Sequence, residues 1–113
     1  MATLRLGDGI LVFDGATGTM IQSMGLRSGY CPDAWCLEEP SKVAEVHRRY
    51  VEAGALAIET NTFGANPIGL SHFGLADRTR DINVAGVRIA REASAGRAMV
   101  AGCIGPLGVL IEP

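Results

Sequence analysis

Three short apolar runs recur along the chain at nearly equal spacing. They cover residues 10–13, 55–58 and 98–104, and each leads into a turn that contains glycine or small polar residues. Apolar runs that do not alternate with polar residues are typical of strands buried on both faces of a parallel sheet. Their starts lie about 43 to 45 residues apart, a spacing that suits repeated βα units. The pattern therefore predicts an α/β protein.

The segments between the runs show helical periodicity. Residues 41–53 and residues 77–94 each carry an apolar stripe on one face and mostly charged side chains on the other. A shorter helix is predicted from Asn66, as N-cap, through Pro67 at the first helical position to about Gly74. Residues 22–40 are rich in Gly, Pro and Cys and are predicted to be irregular. Alternating strands and helices predict parallel strands joined by right-handed crossovers.

An open dinucleotide-binding sheet and a closed barrel both satisfy this alternation. The open sheet requires G-x-G-x-x-G after the first strand and an acid at the end of the second. Glu59 supplies the acid, but the segment from Gly15 to Met20 has the wrong glycine spacing. The long irregular segment after the first turn is usual on the carboxyl side of barrel strands. The sequence therefore favours a barrel.

The candidate ligand-binding residues follow the ends of the predicted strands. Asp14 comes directly after the first run, and Gly15 and Gly18 free the next backbone segment to turn or to point N–H groups at an anion. Asp14 could equally cap that turn, and the spacing leaves both roles open. Because parallel strands end at the same edge of a sheet, we expect Asp14, Asn61 and Gly105 to gather there.

Three motifs in order resemble the homocysteine S-methyltransferase family. They are Asp14-Gly15-Ala16-Thr17-Gly18-Thr19-Met20, Glu59-Thr60-Asn61-Thr62-Phe63-Gly64-Ala65-Asn66 and Gly102-Cys103-Ile104-Gly105-Pro106. The resemblance extends through Cys31-Pro32-Asp33-Ala34-Trp35 and covers about residues 10–113. It implies a (β/α)₈ TIM barrel, of which residues 1–113 would form the N-terminal part of a single homocysteine-binding domain. The expected fold is thus the first three βα units of an incomplete barrel with parallel strands.

The resemblance also implies how the substrate is bound. Asp14 and the backbone of residues 15–17 would hold the amino acid end of homocysteine, and residues 61–63 would line the same pocket. Glu59 could face either the barrel interior or the pocket. The implied substrate-binding set is Asp14, Gly15, Ala16, Thr17, Glu59, Asn61, Thr62 and Phe63.

The family holds a zinc ion with three cysteine thiolates on later strands, and the zinc-bound homocysteine thiolate attacks a methyl donor. None of those ligands falls within this chain, so we expect no metal ligand, no catalytic residue and no catalytic zinc in the isolated chain. The N-terminal part of the barrel is shared by family members with different methyl donors, namely betaine, S-methylmethionine, S-adenosylmethionine and methylcobalamin. Methylcobalamin is favoured here by Met20-Ile21-Gln22 and residues 61–66. The alternative is a catalytically inert fragment acting at most as a binding or assembly module. Either way, the expected partners are homocysteine and the rest of the barrel, or a second copy of the chain.

The remaining cysteines and histidines are assigned structural roles. Cys31 and Cys36 lack the spacing of a zinc pair, and Cys103 suits a small buried filler. His47 is predicted to be packed and hydrogen-bonded on the inner stripe of its helix, and His72 is not expected to bind metal. The formal net charge of −2 gives no electrostatic basis for nucleic-acid binding. No stretch approaches the roughly 18 apolar residues of a membrane span, so the cytoplasm is the expected compartment.

Overall fold

The computed structural model describes residue 7 and residues 9–111. Within them the helices are α1 (Gly18–Ser23), α2 (Trp35–Glu38), α3 (Pro40–Glu52), α4 (Pro67–Ser71) and α5 (Thr79–Ser94). A single 3-10 turn, Ala76–Arg78, precedes α5, and the strands are β1 (Ala57–Glu59) and β2 (Met99–Ala101).

The two strands form a parallel pair, as predicted. Ala57 lies opposite Met99, and Glu59 lies opposite Ala101. The crossover between the strands consists of α4, the 3-10 turn and α5. The second and third apolar runs therefore form the expected βα arrangement.

The first apolar run does not form a regular strand, so the prediction of three strands is only partly correct. Phe13 makes one isolated parallel bridge to Ala57, supported by bonds from the Leu56 N–H to the Val12 carbonyl (2.8 Å) and from the Asp14 N–H to the Ala57 carbonyl (2.9 Å). This run has a hydrogen-bonded neighbour on one side only within the described residues, and Ile10 is 90% exposed. A short apolar run with one partner has too few ladder bonds to extend as a strand.

The longer helices agree with the sequence pattern. Pro40 occupies the first turn of α3, where its missing N–H costs nothing, and α5 ends where Ala95 and Gly96 adopt left-handed backbone angles (φ 48° and 73°). Asn66 caps α4 by accepting the Gly69 N–H at 2.8 Å. None of these helices, in the part of the chain described, has the length and apolarity needed to cross a bilayer.

Two short helices were not predicted. α2 lies inside the segment expected to be irregular, and α1 follows the first turn. Both are too short to show a helical period, and each is held by packing: Ile21, Trp35 and Cys36 are buried in the core. Tertiary contacts decide the conformation of helices this short.

The main core lies where α3 and α5 pack on each other and on α1 and α2. Ile21, Val43, Val46 and Ile82 are fully buried there, and a second cluster of Val51, Ala55, Ile58 and Ala90 joins the two long helices to β1. His47 is also fully buried. Its predicted packing is correct but its predicted hydrogen bond is not, because neither ring nitrogen has a partner among the described residues. Burial lowers the pKa of His47 to about 4.

Apolar side chains are exposed at both ends of the described chain. Ile10, Ile104, Leu110 and Ile111 are each at least 90% exposed. Isolated exposed apolar residues are normal, but several together mark surface that another segment or molecule covers.

Candidate substrate-binding site

A cavity of about 450 Å³ lies at the carboxyl ends of the two strands. It is lined by the turn after the first apolar run, the segment before α2, the segment after β1 and one residue beyond β2. The lining residues are Gly15, Ala16, Thr17, Gly18, Pro32, Asp33, Glu59, Thr60, Asn61, Phe63, Gly64 and Cys103. Of the residues predicted for the substrate site, six line this cavity, whereas Asp14 and Thr62 do not.

Asp14 lies next to the cavity and braces the end of β1. Its carboxylate Oδ2 accepts the N–H of Glu59 at 3.1 Å. Partial burial is the main cause that raises the pKa of the Asp14 carboxyl; the hydrogen bond from Glu59 opposes this, and the nearby Glu59 charge adds to it. Asp14 therefore does not cap the turn that follows it, as the sequence had left open, but braces the end of β1 and remains a carboxylate at the cavity's edge.

The backbone of residues 15–17 forms one wall of the cavity. The Tyr50 hydroxyl fixes this wall by donating to the Ala16 carbonyl at 2.6 Å. A Cβ added at Gly15 would lie 3.1 Å from that hydroxyl oxygen, so the close approach favours glycine. Within the described part of the chain, no hydrogen bond uses the N–H of Gly15, Ala16 or Thr17. These three amides are available to bind an anionic group.

A buried threonine network joins the ends of β1 and β2. Thr62 Oγ1 donates to the Cys103 carbonyl at 2.9 Å, and Thr60 Oγ1 accepts the Cys103 N–H at 2.9 Å. The two hydroxyl oxygens are 2.7 Å apart. Because Thr62 uses its only proton on Cys103, the Thr60 hydroxyl donates to Thr62. Thr62 thus positions the strand ends instead of lining the cavity.

Asn61 holds the segment before α2 against the end of β1. Its side-chain Nδ2 donates to the Pro32 carbonyl at 3.0 Å and to Cys36 Sγ at 3.7 Å. The Cys36 thiol donates in turn to the Asn61 carbonyl at 3.3 Å, and burial raises the pKa of that thiol to about 12. Cys36 therefore stays protonated and fills a structural position, as the sequence predicted.

Asp33 lines the cavity although it was not among the predicted site residues. Its carboxylate is buried and accepts the Gly64 N–H at 2.9 Å, and the Cys31 thiol lies 3.8 Å from its other oxygen. Burial raises the pKa of Asp33 more than these bonds lower it. The one sequence feature that could have pointed to Asp33 is its place in the Cys31 to Trp35 motif, and that motif lies inside a segment predicted to be irregular.

The charged side chains among the described residues that line the cavity are all acidic. Glu59 and Asp33 are lining residues, and no Lys or Arg of the described chain lies among them. Burial raises the pKa of the Cys103 thiol, and the charges of Glu59, Asp33 and Asp14 raise it further. The cavity thus presents carboxylates that attract a cation beside free backbone amides that attract an anion, an arrangement that suits a zwitterion. The described residues contain no group of three His, Cys, Asp or Glu side chains placed to hold a metal ion.

Parallel strands with a cavity at their carboxyl ends, connected by helices, define an α/β protein. The comparison with protein families makes this specific: the family model described as homocysteine S-methyltransferase matches residues 11–113. The chain belongs to the homocysteine S-methyltransferase family.

Two similar curated proteins are methionine synthases. The protein of Mycobacterium tuberculosis (strain ATCC 25618 / H37Rv) is 39% identical over 92 residues, and that of Mycobacterium leprae (strain TN) is 38% identical over 94 residues. Each match covers 76% of this chain but 8% of the relative. The chain therefore spans a small part of these proteins.

Solved structures of the homocysteine methyltransferase MmuM from Escherichia coli share this fold. The oxidised form aligns with a TM-score of 0.73 at 29% identity, covering 88% of this chain and 38% of MmuM. The metallated form aligns with a TM-score of 0.75 at 30% identity, covering 90% and 40%. MmuM is a TIM barrel, so the described elements match part of such a barrel.

Proposed function

We propose that this chain supplies the amino acid half of the homocysteine site in a homocysteine S-methyltransferase. Residues 1–113 then form the N-terminal part of one homocysteine-binding (β/α)₈ domain. In the complete enzyme, cysteines outside this chain would hold zinc, which lowers the pKa of the homocysteine thiol, and methyl transfer to that sulfur forms methionine. Methylcobalamin is the donor we favour, on the strength of Met20-Ile21-Gln22 and residues 61–66.

The observation that carries this proposal is the complementary chemistry of the cavity at the strand ends. Homocysteine carries an α-ammonium and an α-carboxylate at neutral pH. The carboxylates of Asp14, Glu59 and Asp33 suit the ammonium, and the unused amides of residues 15–17 suit the carboxylate. A site built only for a phosphate or a neutral ligand would not need several acidic groups.

Each member of the predicted set takes a role in this proposal, and that of Glu59 is to add a carboxylate that suits the ammonium. Asp14 binds the ammonium through the carboxylate oxygen that does not accept the Glu59 N–H. Gly15, Ala16 and Thr17 bind the carboxylate through their amides. Asn61 and Phe63 form the cavity wall, and Thr62 acts through the hydrogen bond that fixes the strand ends.

No step of the methyl transfer is assigned to this chain, because its described side chains do not fit a zinc site. We expect the isolated chain to be inactive and to hold no catalytic zinc. Dialysis followed by metal analysis checks this. One tightly bound zinc per chain that is lost in Cys31→Ser or Cys36→Ser would contradict it and assign the metal to that pair.

The second candidate, an inert binding or assembly module, is favoured by the exposed side chains of Ile10, Ile104, Leu110 and Ile111. In a complete barrel the remaining βα units would cover such residues; a chain on its own would cover them by self-association. Sedimentation of the isolated chain distinguishes the two, since a monomer over a wide concentration range would remove self-association.

The decisive test of the substrate site is Asp14→Asn in a complete barrel that carries this segment. Asparagine keeps an oxygen to accept the Glu59 N–H but removes the charge. The loss should be about 1.5 to 3 kcal/mol of homocysteine binding, or about ten- to a hundredfold in affinity, with zinc content unchanged. If Asp14 only braces β1 through the Glu59 N–H, the asparagine variant should bind homocysteine almost as well.

4-Mercaptobutyrate provides a matched control, because it keeps the carboxylate and thiol of homocysteine and lacks the ammonium. Its affinity should be weak for the parent protein and unaffected by Asp14→Asn. Equal losses for both ligands would show that the substitution acts through the structure, and equal homocysteine affinities in both proteins would remove Asp14 from the substrate site.

A further inference from the structure

A second cavity, of about 320 Å³, is lined by aromatic side chains and shares no lining residue with the cavity at the strand ends. Tyr30, Trp35 and Phe73 line it, which is three of the chain's six aromatic residues. Tyr30 is 61% exposed and Phe73 is 45% exposed, so these two rings are not part of the core. We call it the aromatic cavity.

The backbone brings together Tyr30 and Trp35, which are close in the sequence, and Phe73, which is distant from both. Gly29 has a positive φ of 82°, and the Tyr30 N–H bonds to the Arg27 carbonyl at 3.2 Å, which closes a turn just before Tyr30. Trp35 is the first residue of α2, and Phe73 follows α4, where its N–H bonds to the Leu70 carbonyl at 3.0 Å. Each ring is thus held at the end of a hydrogen-bonded element.

The charge of the aromatic cavity is negative. Glu38 is the only charged residue within residues 9–111 that lines it, because burial raises the pKa of the Cys31 thiol and keeps it neutral. The Trp35 ring already accepts one cation, since Lys42 Nζ lies 5.0 Å from its centroid. Lys42 does not line the cavity, and its own charge faces Glu39 at 3.7 Å. The lining therefore places one carboxylate beside three aromatic rings.

We propose that the aromatic cavity binds a small organic cation whose charge is spread over alkyl groups, such as a quaternary ammonium. Aromatic faces attract such cations electrostatically, and a weakly hydrated cation loses little solvation when it enters an apolar site. Glu38 adds a carboxylate at the edge of the same site. An inorganic cation is excluded because its strong hydration outweighs its attraction to aromatic rings.

The test uses choline and its uncharged isostere 3,3-dimethylbutan-1-ol, which differ by a nitrogen in place of a carbon. Trp35 is the only tryptophan of the chain, so the fluorescence of the protein reports on the surroundings of this one ring. Choline should change the fluorescence saturably, at a concentration at least about fivefold below that of the isostere. Sodium chloride at matched ionic strength should have no saturable effect.

Two substitutions of exposed lining residues sharpen the test. Glu38→Gln removes the charge and Phe73→Leu removes a ring while keeping apolar volume; each should weaken choline binding about threefold or more and leave the isostere unchanged. Glu52→Gln, an exposed position outside this cavity, should change neither ligand. Saturation-transfer NMR on the choline methyl groups repeats the measurement without relying on Trp35.

Equal affinity for choline and its isostere would overturn the proposal in favour of a merely apolar groove. Absence of choline binding by both fluorescence and NMR would also overturn it. Binding that survives Glu38→Gln and Phe73→Leu unchanged would place the cation elsewhere on the molecule and overturn it as well. None of these outcomes depends on homocysteine binding, so the proposed function is tested separately.

Discussion

The helix-packed core and the site at the strand ends treat buried polar groups in opposite ways. At the strand ends, Asp33, Thr60, Asn61 and Thr62 are buried, and each makes at least one hydrogen bond. In the core, His47 is fully buried, and its two ring nitrogens are the only buried side-chain nitrogen or oxygen atoms without a partner among the described residues. The site has fixed polar geometry, whereas the core tolerates a polar group only in its neutral form.

The difference has a general physical basis. A bonded polar network fixes the positions of its members because each group would lose a partner if it moved. Apolar packing stabilises the fold without selecting one polar arrangement, and an unpaired group within it is stable only if uncharged. The two regions should therefore respond differently to pH and to small changes in side-chain size.

The largest expected effect is acid destabilisation through His47. Its pKa is about 4 in the folded protein and near 6.5 when unfolded, so the unfolded chain binds more protons between these values. Stability from this group is complete above pH 6.5 and falls as the pH drops towards 4, by about 3 kcal/mol in total.

His47→Leu should remove this loss while keeping stability at pH 7. The loss of stability is measured by urea unfolding of the parent protein and of His47→Leu at several pH values from 7 to 4. Taking the difference between the two proteins cancels the opposite contribution of carboxyls whose pKa is raised in the folded state. His72→Gln, at an exposed position, is the control and should retain the parent slope. If the free energy of unfolding of His47→Leu fell with pH as steeply as that of the parent, the loss could not be assigned to His47.

The next largest effect is expected at Asp33. Asp33→Ala leaves the Gly64 N–H without its acceptor and should lower the free energy of unfolding by about 2 kcal/mol. Asp33→Asn keeps an acceptor oxygen and avoids a buried charge, so it should change stability by less than about 0.5 kcal/mol. Equal losses in both variants, measured by denaturant unfolding, would mean that the charge and not the hydrogen bond is needed.

Gly86 joins the two regions and should resist substitution. A Cβ there would lie 2.6 Å from Thr62 Cγ2 and 3.5 Å from Cys36 Sγ. Alanine gains about 1 kcal/mol of helix propensity, but overpacking against a threonine fixed by its hydroxyl should cost more, for a net loss of about 1 to 2 kcal/mol. Gly18→Ala, where a Cβ meets no atom within 4 Å, should be neutral or stabilising by thermal unfolding. A Gly86→Ala protein as stable as Gly18→Ala would show that α5 can shift freely.

The smallest effect is expected for Tyr50→Phe. This change removes the hydrogen bond to the Ala16 carbonyl and should cost about 0.5 to 1 kcal/mol of stability, because water can reach that oxygen. The more informative readout is homocysteine affinity in a complete barrel, which should fall a fewfold as residues 15–17 become less fixed. Tyr30→Phe, which removes a hydroxyl outside the cavity at the strand ends, should leave homocysteine affinity unchanged. A drop of the same size in Tyr30→Phe would contradict the role of the Ala16 contact.

Much of the fold was predictable, and the failures have physical reasons. α3 and α5 were found because a helix of several turns repeats its apolar stripe often enough to be recognised. The parallel pairing of β1 and β2 followed from their separation by helices. The first run was predicted as a third strand but makes one bridge, because hydrogen bonding along a strand depends on neighbours that the local sequence does not describe.

The site residues that come directly after a predicted strand could be predicted from the sequence. Gly15, Asn61 and Phe63 were expected there and line the cavity, whereas Thr62 turns to Cys103. The orientation of the Thr62 side chain depends on its hydrogen bond to Cys103, which follows β2, and its neighbour Asn61 bonds to Pro32 instead. Their roles in binding homocysteine remain predictions.

The sequence by itself determined the family, the alternation of strands and helices, and the edge of the sheet at which polar residues collect, since these depend on local pattern and chain order. Only the tertiary structure decided that Asp33 enters the cavity, that Asp14 braces β1, and that His47 lies unpaired in the core. The reason is that each of these depends on a contact between segments far apart in the chain: Asp14 and Glu59 are 45 residues apart, and Asp33 and Gly64 are 31 apart. Local propensity carries no information on such pairs, because their geometry is set by how the elements pack.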